Sequence, residues 1–113
     1  MKAGDLVLAS IPQADAQFKL RPALVLCLLP PFRDFLVCGV STQLRHKDEG
    51  FDEIVDRGDP DFAASGLRQA SLIRLGFLNA VPDTSIAGLL GSIARPRLQR
   101  LRRALANHLQ SEP

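Results

Sequence analysis

The chain has 113 residues, 46% of them apolar, and a formal net charge of only +2. That length fits one domain, residues 1–113, closing one hydrophobic core with little stability in reserve. Total charge therefore makes no case for nucleic acid, and no apolar stretch is long enough to cross a bilayer. The opening Met1-Lys2-Ala3-Gly4-Asp5 does not read as a signal peptide, so a cytoplasmic protein is expected.

Gly4-Asp5 opens a strand predicted over Leu6 to Ser10, and Pro12 ends it. Gln13 to Leu20 is polar and mixed, a loop or an irregular hairpin. Pro22 to Leu29 is a near-continuous apolar run, the pattern of a buried strand. Pro30-Pro31 stops it. Phe35 to Thr42 is the next strand, with Gly39 marking a bulge or a close backbone approach. The acids collect between Asp48 and Asp61, so the middle is acidic and both ends are basic. That stretch reads as a solvated loop, with room for an edge strand around Phe51 to Val55 and one helical turn from Asp61 to Ser65, ended by Gly66. Ser71 to Leu75 reads as a strand that Phe77 to Val81 continues or pairs back on. Thr84 to Leu90 is predicted as a short helix, interrupted by Gly88 and Gly91. The last element starts at Pro96, suited to a first helical turn. Leu98, Leu101, Leu105 and Leu109 fall on one helical face, with Arg97, Arg100, Arg102 and Arg103 on the others. Several short strands and one terminal amphipathic helix predict a mainly β protein: a small, partly open barrel with a helix packed on it.

Cys27 and Cys38 both lie in apolar runs and read as buried hydrophobes in a reducing compartment, bridged only if the strands bring them together. No histidine or second cysteine stands at metal-ligand spacing near either, and neither a metal nor another cofactor is expected.

One constellation carries chemistry. Arg21 stands at the mouth of one strand, and Ser41-Thr42-Gln43 ends the next. If the strands pair, a guanidinium and two hydroxyls converge where a phosphate can be held. Only one of the hydroxyls can share the arginine's face in a regular strand. The plain alternatives are a surface ion pair for Arg21 and strand capping for the hydroxyls.

In this order, Gly4-Asp5-Leu6-Val7-Leu8, Arg21-Pro22-Ala23-Leu24-Val25-Leu26 and Val37-Cys38-Gly39-Val40-Ser41-Thr42-Gln43 resemble the MazF/PemK family of toxin ribonucleases. Gly66-Leu67-Arg68-Gln69-Ala70-Ser71-Leu72-Ile73, and Gly91-Ser92-Ile93 before the Pro96 helix, are similar to its later segments. The resemblance covers nearly the whole chain. It implies a small SH3-like (CcdB/PemK-like) β-barrel with a C-terminal helix, working as a homodimer. It implies metal-independent cleavage of single-stranded RNA by 2′-OH attack, and a cognate antitoxin protein that blocks the RNA groove. The family's key arginine falls on Arg21 and its key threonine on Ser41, with Thr42 a rival one residue on. A basic residue that some members use in the penultimate strand falls on Arg74. The acid those members carry two positions later is replaced by Gly76.

On this reading, Gln13 to Leu20 borders the groove. Phe18 stacks on a base and Lys19 adds phosphate affinity. Arg33, Arg45 and Arg68 are further phosphate candidates. His46 is the one conventional acid–base group near the site. A second hypothesis is a barrel that keeps the fold and acts as a nucleic-acid or protein binding module without the chemistry. A third, a toxin acting on a protein such as DNA gyrase, is disfavoured by the Arg21-Pro22 signature.

Overall fold

The computed structural model describes residues 1–111. Six strands form: β1 (Asp5–Pro12), β2 (Phe18–Leu29), β3 (Asp34–Ser41), β4 (Glu53–Val55), β5 (Ser71–Val81) and β6 (Ile86–Ser92). The helices are α1 (Phe62–Ser65) and α2 (Arg95–Gln110). All strands join one antiparallel sheet in the order β4-β5-β3-β2-β1-β6. No helix among the described residues is long and apolar enough to cross a membrane.

The apolar run of β2 is continuous because both faces of the sheet are covered. Leu24 and Leu26 enter one layer with Leu6, Ile73 and the α2 residues Leu98, Leu101 and Leu105. Ala23 and Val25 enter the other with Val7, Ala9, Val37 and Val81. Successive strand residues face opposite sides, so every position from Ala23 to Leu26 must be apolar. Burial of a leucine or valine of this kind contributes roughly 1.5–3 kcal/mol.

The barrel is partly open, since the edge strands β4 and β6 do not pair with each other. The short helix α1 closes against β6. Gly66 ends α1 at φ 72°, and a Cβ there would stand 2.1 Å from the Leu90 carbonyl oxygen. A Cβ on Gly91 would stand 2.2 Å from the Ala64 oxygen. Glycine at both positions lets the helix end touch the edge strand.

Of the two readings of Gln13 to Leu20 the hairpin holds, and two other expectations are corrected. β1 and β2 keep pairing through Ser10–Leu20, Ile11–Lys19 and Pro12–Phe18, leaving a tight turn at 13–17. Backbone bonds extend the ladder where polar side chains hide the pattern. Thr84 to Leu90 is not a helix. A 3₁₀ turn at Asp83–Ser85 leads into β6, which pairs with β1. Gly88 weakens any helix there, and β1 offers a free edge. The acidic stretch is not simply solvated, for Asp52 and Asp61 are buried.

Asp61 is buried because it receives Arg97. Arg97 lies one helical turn before Leu101, on the core-facing side of α2, and is 7% exposed. Its Nε and Nη2 donate to both Asp61 oxygens at 2.8 and 3.0 Å. Nη2 also donates to Asp59 at 2.9 Å, and Nη1 to Glu53 and the Ile54 carbonyl at 3.0 and 3.1 Å. Arg100 adds two bonds to Glu53. This clamp ties α2 to the segment running from β4 to α1. The Arg97 hydrogen bonds hold the Asp61 carboxyl below its ordinary value of 3.8. Of the four leucines on the predicted apolar face, Leu109 is 73% exposed, because the layer under α2 ends at Leu105.

Candidate active-site cleft

The site is built by strand register. Ala23 of β2 pairs with Gly39 of β3. Continued two residues, the same register sets Arg21 across from Ser41, and directly opposed residues share a face. On its other side Gly39 pairs with Arg74 of β5. Arg21, Ser41, Thr42, His46 and Arg74 all line one cleft of about 450 Å³.

The two hydroxyls are not alternatives in the way a regular strand requires. Ser41 is the last residue of β3 and Thr42 lies in a bend, so alternation stops there and both residues line the cleft. Ser41 Oγ accepts the Gln43 N–H at 3.0 Å. Its own O–H remains available to donate. His46 comes to the cleft through the 3₁₀ turn Leu44–His46 that follows.

The charge of the cleft is one-sided. Arg21, Arg74 and His46 line it, and no carboxylate does. Among the described residues neither Arg21 nor Arg74 forms an ion pair. The Arg74 guanidinium stands 5.9 Å from the Phe77 ring centroid, within cation–π range. Cys38 borders the cleft, but burial, helped by the Asp52 carboxylate, pushes its thiol up to about 12. It stays protonated and is no nucleophile. Cys27 and Cys38 are both free thiols.

Five of the residues expected at the RNA groove do not line this cleft: Phe18, Lys19, Arg45, Arg68 and Arg33, which stands in the turn between β2 and β3. Phe18 and Lys19 sit at the exposed start of β2. Lys19 shares the face of Arg21 two residues further out, whereas alternation turns Phe18 to the opposite face. Arg45 instead bonds the Gln43 side chain. Arg68 lies in the loop after α1, where its carbonyl accepts a bond from Arg57. Two residues that sequence reasoning passed over, Phe77 and Asn79, do line it. They arrive through a bulge in β5. Cys38 pairs with Leu78 while its neighbour Gly39 pairs with Arg74, so Leu75, Gly76 and Phe77 are extra. The available signals were Gly39 and Gly76, two glycines inside strand patterns.

Residues 2–109 match the model of the PemK-like, MazF-like toxins of type II toxin-antitoxin systems. No curated protein matches the chain. Among solved structures it is similar in fold to the Mycobacterium tuberculosis toxin MazF-mt6. The TM-score is 0.69 at 20% identity, over 96% of this chain and 99% of that one. With the family model spanning nearly all of it and the fold in agreement, the chain belongs to the PemK-like, MazF-like family of type II toxin-antitoxin toxins.

Proposed function

We propose that this toxin is a metal-independent endoribonuclease that cuts single-stranded RNA at the cleft between β2, β3 and β5. The observation that carries the reading is the cleft itself: two arginines that form no ion pair among the described residues, two hydroxyl-bearing residues and a histidine, with no carboxylate to repel a phosphate. In the reaction, the ribose 2′-oxygen bonds to the neighbouring phosphorus and the bond to the 5′-oxygen breaks. The products are a 2′,3′-cyclic phosphate and a 5′-hydroxyl. Arg21 stabilises the negative charge of the pentavalent phosphorane. Ser41 or Thr42 hydrogen-bonds the phosphate or the 2′-OH. A guanidinium holds its protons too tightly to donate one readily, so His46 is the group suited to proton transfer. Positioning and electrostatics dominate such a site, and modest turnover is expected.

Family membership implies an antitoxin partner. That the toxin is a homodimer, and that it works in the cytoplasm, belong to this proposal. A second reading, a barrel that binds RNA or protein without cutting, is favoured by one feature: Gly76 supplies no acid beside Arg74. The deciding experiment incubates a long single-stranded RNA with the purified protein in excess EDTA, beside Arg21→Ala. Cleavage leaving 2′,3′-cyclic phosphate ends, lost in the variant, supports the nuclease. Intact RNA with a folded wild type supports the binding module.

A further inference from the structure

Phe77 is an aromatic side chain left in the open beside cations, and the fold goes to some length to put it there. The three-residue bulge in β5 turns it into the cleft. The base of that bulge is held by a buried carboxylate: Asp52 accepts the Leu75 N–H at 3.0 Å and, with its other oxygen, the Asp48 N–H at 2.9 Å. Leu75 is itself fully buried, so the bulge cannot slide without exposing it. Gly39 makes room beneath. A Cβ there would stand 3.1 Å from Phe77 Cδ1, so one side of the ring rests on bare backbone. The ring is still 37% exposed. The Arg74 guanidinium stands over the ring, 5.9 Å from its centroid, and Asn79, opposite Val37, lines the same wall.

A part-exposed aromatic ring next to guanidinium groups that form no ion pair is a combination single-stranded nucleic acid uses: bases stack and phosphates pair with the cations. Phe18, the other exposed phenylalanine near this end of β2, faces away from Arg21 and cannot serve the same base. We infer that Phe77 is the platform on which a nucleobase next to the phosphate at Arg21 stacks, and that Asn79 reads that base's edge. The ring then sets affinity and the amide sets preference among bases. The inference rests on the RNA reading above and names the residues that select the sequence.

The chain has no tryptophan, so Phe77→Trp carries a single reporter at this position. Short single-stranded 2′-fluoro oligonucleotides of varied sequence lack the attacking hydroxyl and are used as probes of binding. Wild type, Phe77→Ala, Phe77→Trp and Asn79→Ala are compared, with thermal melting as a check on folding. The expected result is binding about 10-fold weaker in Phe77→Ala, the order of one lost base–aromatic stack. Phe77→Trp should bind like wild type with its emission quenched, and Asn79→Ala should flatten the ranking of bases. Unchanged affinity in Phe77→Ala, unquenched emission in bound Phe77→Trp, or no binding by wild type overturns the inference. If Phe77→Ala does not fold, quenching in Phe77→Trp decides alone. Cleavage of ordinary RNA by wild type, measured in parallel, tests the nuclease separately. Cleavage without Phe77-dependent binding sinks only the platform, and binding without cleavage sinks only the chemistry.

Discussion

Arg97 and Arg21 are the same residue in opposite surroundings. Arg97 is buried under α2, with Asp61, Asp59, Glu53 and a backbone carbonyl satisfying its guanidinium. Arg21 is exposed on β2, opposite hydroxyls, beside a second unpaired arginine and no acid. A satisfied guanidinium holds elements together. An unsatisfied one has its hydrogen-bonding capacity free for a ligand. The difference separates the scaffold from the site without reference to either residue's neighbours in sequence, and each half of it can be broken by experiment.

The largest effect is expected at the clamp. Arg97→Met leaves Asp61 buried without its counter-charge and should lower stability by about 3–5 kcal/mol, read by urea denaturation. A loss below about 1 kcal/mol would mean the clamp behaves like a surface pair. Arg21→Ala should do the reverse. Cleavage falls about 10²–10³-fold, while stability stays within about 0.5 kcal/mol, as for an ordinary surface substitution. A variant that melts early would move Arg21 into the scaffold class. Next in size, Ser41→Ala should reduce kcat/KM about 10-fold by removing one hydrogen bond to a charged group. Thr42→Val should cost less. The opposite order would assign the hydroxyl role to Thr42.

The smallest effect is in acid. The Asp61 carboxyl is held below 3.8 chiefly by its hydrogen bonds from Arg97. Asp59 is lowered in the same sense, first by the Asp56 backbone and then by Arg97. A lowered folded-state value means the unfolded chain binds protons more readily. The clamp's contribution is therefore complete above the ordinary carboxylate range and is lost as pH falls from 3.8 through the lower folded values. Asp61→Asn should flatten that acid limb of the stability curve. The pH dependence of RNA cleavage by folded protein should not follow it, because neither acid lines the cleft.

Much of the scaffold was legible beforehand. The core of β2 was plain because two-sided burial demands an unbroken apolar run. The start of α2 was plain because Pro96 and the leucine spacing are local signals. Arg21 and the hydroxyls could be picked out because they flank the two apolar runs, where the family resemblance also concentrates. The strand β6 was not legible. Its pairing with β1 joins segments at opposite ends of the chain, and its own glycines and leucines do not alternate cleanly. The leucine spacing sets Arg97 off the apolar face, and nothing local marks it as buried, because its acids lie 36 to 44 residues away. Phe77 was passed over because a bulge changes which side of the strand it faces, and bulges leave only a weak glycine signal.

The amino-acid order by itself determined where the main strands and the terminal helix run, and that an arginine heads one apolar run and two hydroxyls close the next. Those features follow from periodicity, turn residues and caps, which act over a few positions. The tertiary structure alone decided which arginine is satisfied and which is free, that Ser41 and Thr42 line one cleft, and that Phe77 joins them. Each of those outcomes depends on register and on partners brought from distant segments. Only the assembled sheet and its two apolar layers set that register.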